Sequence, residues 1–76
     1  MTEKQLLIQI GKNIKRIRLS RGISQVELAD LCDFEKSNMA RIEAGGTNIT
    51  IRTLLKISNS LKISITDLFS PIENKE

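Results

Sequence analysis

The segment SQVELADLCDFEKSNMARIEAG, residues 24–45, decides how this chain folds. Ser24 and Glu27 stand at capping-box spacing, where hydroxyl and carboxylate satisfy each other's orphan backbone amides at a helix start. Leu28, Ala29 and Leu31 follow, and this helix is expected to end near Cys32. Asp33 and Phe34 then make a short turn. A further helix, about Lys36 to Ala44, carries Met39 and Ile42 inward and stops at Gly45-Gly46. Ala29 is small where the two helices must approach closely, and Leu28, Met39 and Ile42 clamp the pair to the rest of the domain.

Working outward, the helical period continues on both sides. Leu7, Ile10, Ile14 and Ile17 recur at three- and four-residue steps, which predicts a first helix from about Gln5 to Arg21 with one apolar stripe inward. Gly22 ends it, since glycine accepts the left-handed backbone past a helix C-terminus, and Ile23 packs back towards the core. After the segment, Thr50 can cap a fourth helix, Ile51 to about Leu61, with Leu54, Leu55, Ile57 and Leu61 apolar. Ser64-Ile65-Thr66-Asp67 predicts a short fifth helix ending near Ser70-Pro71. The alternation over Asn48–Thr53 is too short for a strand, and the helical stripe after it too regular. The expected class is all-α: one compact domain over residues 1–76, with a polar tail, Glu73 to Glu76, expected to fray.

Composition narrows the function classes. With no histidine and Cys32 as the single cysteine, an internal disulfide and a zinc site are excluded. Cys32 reads as a small buried hydrophobe. No histidine, one cysteine, no glycine-rich phosphate loop and no carboxylate pair on a concave surface together argue against an enzyme. Phe34 and Phe69 are the only aromatics, too few for the stacking platforms of RNA and single-strand binders. The start, Met1-Thr2-Glu3-Lys4, lacks signal-peptide architecture, and no apolar run reaches membrane-spanning length, so a reducing cytoplasm is expected.

The formal charge of +3 is compatible with a polyanionic partner. Lys12, Lys15, Arg16, Arg18 and Arg21 follow one another with no acid between Lys4 and Glu27. Two readings of that run stand together: a solvated helix face, or phosphate contacts and long-range steering of DNA by Lys12 and Lys15. The central helix pair suits a helix-turn-helix, whose second helix enters the major groove. On the second helix Lys36, Ser37, Asn38 and Arg41 supply donors, and some acceptors, on a side that can face base edges. Gln25, beside the start of the preceding helix, is a candidate phosphate contact.

These residues resemble the Cro/C1-type helix-turn-helix family, also called the XRE family, of bacterial and phage regulators. Gly22-Ile23-Ser24-Gln25-x-x-Leu28-Ala29 and Arg41-Ile42-Glu43-x-Gly45 carry the likeness most strongly. Gly11-Lys12-x-Ile14-x-x-Ile17-Arg18, Leu54-Leu55-x-Ile57-x-x-x-Leu61 and Ser64-x-x-x-Leu68 extend it over roughly residues 7 to 69. The resemblance implies a lambda-repressor-like five-helix bundle binding operator DNA as a homodimer on a two-fold symmetric site. It implies that Gln25 touches phosphate, that Lys36, Ser37 and Arg41 read bases, and that Thr47 and Asn48 touch the DNA backbone. It also implies a buried Arg18–Glu43 pair tying the first helix to the end of the recognition helix. Four positions depart from the family pattern: Asp33 replaces a turn glycine, Glu35 a Ser/Thr cap, Ile49 a proline, and Lys62 a glycine.

The leading expectation is a transcriptional regulator that needs no cofactor, metal, membrane or small-molecule effector, and is controlled by its own concentration. A Cro-like repressor or a restriction–modification controller works in this way. The competing expectation is an antitoxin or another protein-interaction module that retains the fold. Ile63, Ile65, Phe69 and Ile72 are candidate dimer contacts, with the equal alternative that they close the core over the first helix.

Overall fold

The computed structural model describes residues 1–71; Ile72, one of the candidate dimer contacts, lies outside the described residues. The chain forms α1 (Glu3–Ser20), α2 (Gln25–Leu31), α3 (Lys36–Glu43) and α4 (Ile51–Leu61), followed by a 3-10 helix, Ile65–Phe69. No strand forms among the described residues, and Asn48 to Thr50 runs irregularly into the start of α4.

The helix starts follow the capping chemistry. Thr2, Ser24 and Thr50 each accept the amide of the third helical residue. Glu27 returns its carboxylate to the Ser24 amide at 2.8 Å, which holds that carboxyl below the usual carboxylate range. The Thr2–Gln5 capping box starts α1 two residues before the expected position. Glu35 is the exception: it occupies the cap position of α3 and makes no side-chain bond there.

All four helices end alike. In α1, α2 and α3 the residue after the cap turns left-handed, and in α4 the cap residue Lys62 itself does. An amide beyond it reaches five residues back: Ile23 to Arg18, Phe34 to Ala29, Gly46 to Arg41 and Ile63 to Ser58, at 2.8–3.1 Å. This six-to-one closure satisfies carbonyls that the helix leaves open. Asp33 and Lys62 both adopt φ 59° to make it. Aspartate tolerates that backbone better than most residues, whereas lysine gains nothing from it. Lys62→Gly is therefore expected to stabilise the protein by about 1 kcal/mol, seen as a higher urea midpoint at unchanged slope. An unchanged or lower midpoint would contradict the strain at this turn.

The core gathers Ile10, Ile14 and Ile17 of α1 with Leu28, Met39, Ile42, Leu54, Ile57, Leu61 and Leu68. Cys32 lies in it as expected, and burial pushes its thiol up, which keeps it protonated and unreactive. The expected apolar stripe is corrected at one position in α1. Leu6 packs against the core, and the half-buried Leu7 instead borders a shallow cleft with Gly46, Thr47 and Asn48. Leu31 and Leu55 remain exposed.

The expected fifth α-helix is corrected too, so the bundle has four α-helices and a 3-10 turn. The reason lies in α1. Asn13, fully buried, donates through Nδ2 to the carbonyls of Leu68 and Ser70 at 3.0 and 2.7 Å, and Gln9 donates to Phe69 and Ser70. Those carbonyls are held by another helix. Ser70, preceding Pro71, is extended, as a residue before proline prefers. The turn is thus closed at both ends after five residues.

Candidate nucleic-acid interface

α2 and α3 meet where Ala29 is buried, and the four residues between them place α3 across the surface with Met39 and Ile42 facing the core. At about 100° per residue, Lys36, Ala40, Ala44, Ser37 and Arg41 then fall within an arc of about 140° on the opposite side. Lys36, Ser37 and Arg41 are exposed along it. Asn38 is half-buried, at the edge of the arc rather than within it. Ala40 and Ala44 were not among the candidate readers; the period of the helix alone places them between Lys36 and Arg41. Their short side chains leave room for a groove edge, and alanine suits a thymine methyl group.

Among the described residues the two cations of this face are held in no ion pair: the one pair is Arg18–Glu43, so neither Lys36 nor Arg41 has an acidic partner. The Arg18–Glu43 pair is buried: Arg18 Nε and Nη2 donate to the two carboxylate oxygens at 2.7 and 3.0 Å, and Nη1 donates to the Ile23 carbonyl at 3.0 Å. The bond to Glu43 raises the Arg18 pKa further above its already high ordinary value. Gln25 joins this pair, donating through Nε2 to Glu43 Oε1 at 3.1 Å. That contact was not legible in the sequence, because residues 18, 25 and 43 lie on three different helices.

The remaining candidates are spread over the surface. Thr47 is half-buried and Asn48 exposed, and both line the cleft between the start of α1 and the loop after α3. Lys12 and Lys15 are exposed on α1. Lys15 is one turn from Gly11 and Arg18, the residues that meet the end of α3, whereas Lys12 is rotated from Gly11 by about 100°. Ile63 and Ile65 pack against the core, and Phe69 is 36% exposed. Phe69 shares a shallow apolar cleft with Ile49 and Ile51, and Ile51, with Leu55 one turn on, leaves an exposed apolar strip along α4 that the sequence reading missed.

Glu35 stands at the start of this face, exposed, with no cap bond and with its negative charge beside Lys36. Glu35→Ser is expected to add about 1 kcal/mol of stability by capping α3. Removal of the charge should also tighten binding to any duplex, most visibly at low salt. Parallel urea and DNA titrations check both effects; weaker binding by the variant would show that Glu35 itself takes part in recognition.

A family model described as helix-turn-helix matches residues 14–68 of this chain. The chain belongs to the helix-turn-helix family. It is 36% identical over 69 residues to Control protein C.BamHI of Bacillus amyloliquefaciens, covering 87% of this chain and 85% of that protein. To Control protein C.MunI of a Mycoplasma species it is 33% identical over 69 residues, covering 90% and 93%. Among solved structures, the restriction-modification controller protein C.AhdI from Aeromonas hydrophila superposes with a TM-score of 0.80 at 30% identity, covering 83% of this chain and 96% of that one. These helix-turn-helix relatives are named as control proteins, not as enzymes. Among the described residues, no helix is long and apolar enough to cross a membrane.

Proposed function

We propose that this protein is a sequence-specific, double-stranded-DNA-binding transcriptional regulator of the controller type, acting in a bacterial or phage-infected cytoplasm. The observation that carries the reading is the exposed Lys36/Ser37/Arg41 side of α3, cationic and without an acidic partner among the described residues. Lys36, Ser37 and Arg41 read base edges, with Asn38 at the margin. Gln25, Thr47, Asn48 and Lys15 contact phosphates, and Lys12 steers from a distance. Two copies bind as a homodimer on a two-fold symmetric operator, with recognition helices about 34 Å apart in successive major grooves. The apolar strip of Ile51 and Leu55, continued by Phe69, supports an interface between copies at that side of the molecule.

The test is a comparison of two substrates. A duplex is first selected from random DNA by the unmodified protein, and Arg41→Ala is then titrated with that duplex and with unselected DNA. An arginine forked onto a guanine edge contributes about 1–3 kcal/mol of discrimination, or roughly 5- to 150-fold. The selected duplex should therefore lose that factor while unselected DNA loses less than about threefold. Equal losses on both would make Arg41 a phosphate contact and remove it from base readout.

A further inference from the structure

We propose that Glu43 is a positioning residue for the DNA contact made by Gln25, beyond its part in the buried ion pair; the inference rests on the DNA-binding reading above. The Glu43 carboxylate accepts three bonds: Arg18 Nε at 2.7 Å on Oε2, and Arg18 Nη2 at 3.0 Å and Gln25 Nε2 at 3.1 Å on Oε1. The guanidinium fork already neutralises the carboxylate and meets both its oxygens. Gln25 is therefore an addition that the ion pair does not require.

What the bond does is orient the glutamine. An ionised carboxylate only accepts, so Gln25 must turn its nitrogen to Glu43 and its carbonyl oxygen away. The flipped amide would set two acceptors against each other beside a buried charge. The second Nε2 hydrogen then has one direction left, and Gln25 is half-buried, with part of its side chain still open to solvent. The amide is fixed before DNA arrives. Fixing a rotamer-rich side chain in advance is worth about two- to tenfold in affinity, because the ordering cost is no longer met on binding.

Glu43 is also the last residue of α3, and Gln25 the first of α2. One carboxylate thus sets the distance between a phosphate donor on α2 and the base-reading face of α3. A shift of the recognition helix would move the Gln25 amide with it, so backbone and base contacts keep a common register.

Two measurements test the proposal, both with the full chain and a duplex selected by the unmodified protein from random DNA. The first is a double-mutant cycle of Gln25→Ala and Glu43→Gln, read as duplex affinity at a temperature where circular dichroism shows every variant folded. Glu43→Gln should weaken binding about fivefold in the otherwise unmodified protein, and less than about twofold when Gln25 is already alanine. Equal losses in both backgrounds would overturn the proposal, leaving Glu43 a purely structural residue. The second needs no variant, and so stands even if Glu43→Gln does not fold. In the nuclear magnetic resonance spectrum of the unmodified protein, one Gln25 side-chain amide proton should exchange slowly and keep its shift when the duplex is added. The other proton should move. A Gln25 amide whose two protons both exchange freely, or neither of which responds to the duplex, would refute the assignment. If the unmodified protein enriches no duplex at all, the DNA-binding reading fails and the proposal with it. Enrichment with an additive cycle removes only the role of Glu43.

Discussion

Arg18→Ala should cost about 3–5 kcal/mol of folding stability, because it leaves the buried Glu43 carboxylate without its counter-charge. Arg18 and Glu43 side chains are 7% and 5% exposed, so water cannot replace the lost guanidinium without opening the contact between α1 and α3. Gln25 alone cannot neutralise the charge. A domain of this size has roughly 4–11 kcal/mol in total, so the loss takes a large share of it. The measurement is a urea titration of both proteins at neutral pH. A shift below about 1 kcal/mol would mean that the pair behaves as a solvated surface bridge. The paired replacement Arg18→Met with Glu43→Leu should recover most of the stability, since no charge is then left buried. Arg18 adds no pH dependence in the ordinary range. Its folded pKa is raised, so its contribution is fully present below the unfolded value and is lost only as pH rises through the folded one.

Gly11→Ala should be comparably damaging, and here the sign is as informative as the size. In an exposed helix interior the change would stabilise by about 1 kcal/mol. At Gly11 the added methyl would run into the Glu43 carbonyl and come within 2.7 Å of the Ile42 carbonyl oxygen. Both are backbone atoms at the end of the recognition helix, so relief requires moving α3 away from α1. The expected loss is about 3 kcal/mol, which lowers the melting temperature by roughly 12–24 °C. Affinity for a selected duplex should fall further than stability alone explains, measured well below the transition, because α3 is displaced with respect to α2. A melting temperature equal to or above that of the unmodified protein would show that the helices can separate freely at this point.

Gly45 belongs to the same seam from the other side. Its φ is +73°, and a Cβ there would meet the Ile8 backbone at 2.8 Å. The segment Arg41-Ile42-Glu43-x-Gly45 therefore serves packing at three of its positions: Ile42 fills the core, Glu43 ties three helices together, and Gly45 lets α1 lie close. Arg41 alone of these faces outward.

The sequence by itself determined what depends on neighbours a few residues apart. Ser24 and Glu27 start α2, Thr50 starts α4, and Gly22 marks where α1 turns left-handed, because capping and closure bonds span three to five residues. Asp33 and Lys62 stand out in the sequence only as positions where the family pattern has glycine. The same period turned Met39 and Ile42 inward and left Lys36, Ser37 and Arg41 outside. Likeness to a family added the Arg18–Glu43 pair, which no local rule would pair across 25 positions. Only the tertiary structure decided the rest. Asn13 and Gln9 reach across the fold to hold the carbonyls after Leu68, so the last element is a 3-10 turn despite its helical cap. Gln25 meets Glu43, Leu6 takes the core place expected of Leu7, and Gly11 must lack a side chain. Each of these depends on which helix lies against α1 and how closely, and separation in space is not written in the spacing of residues along one helix.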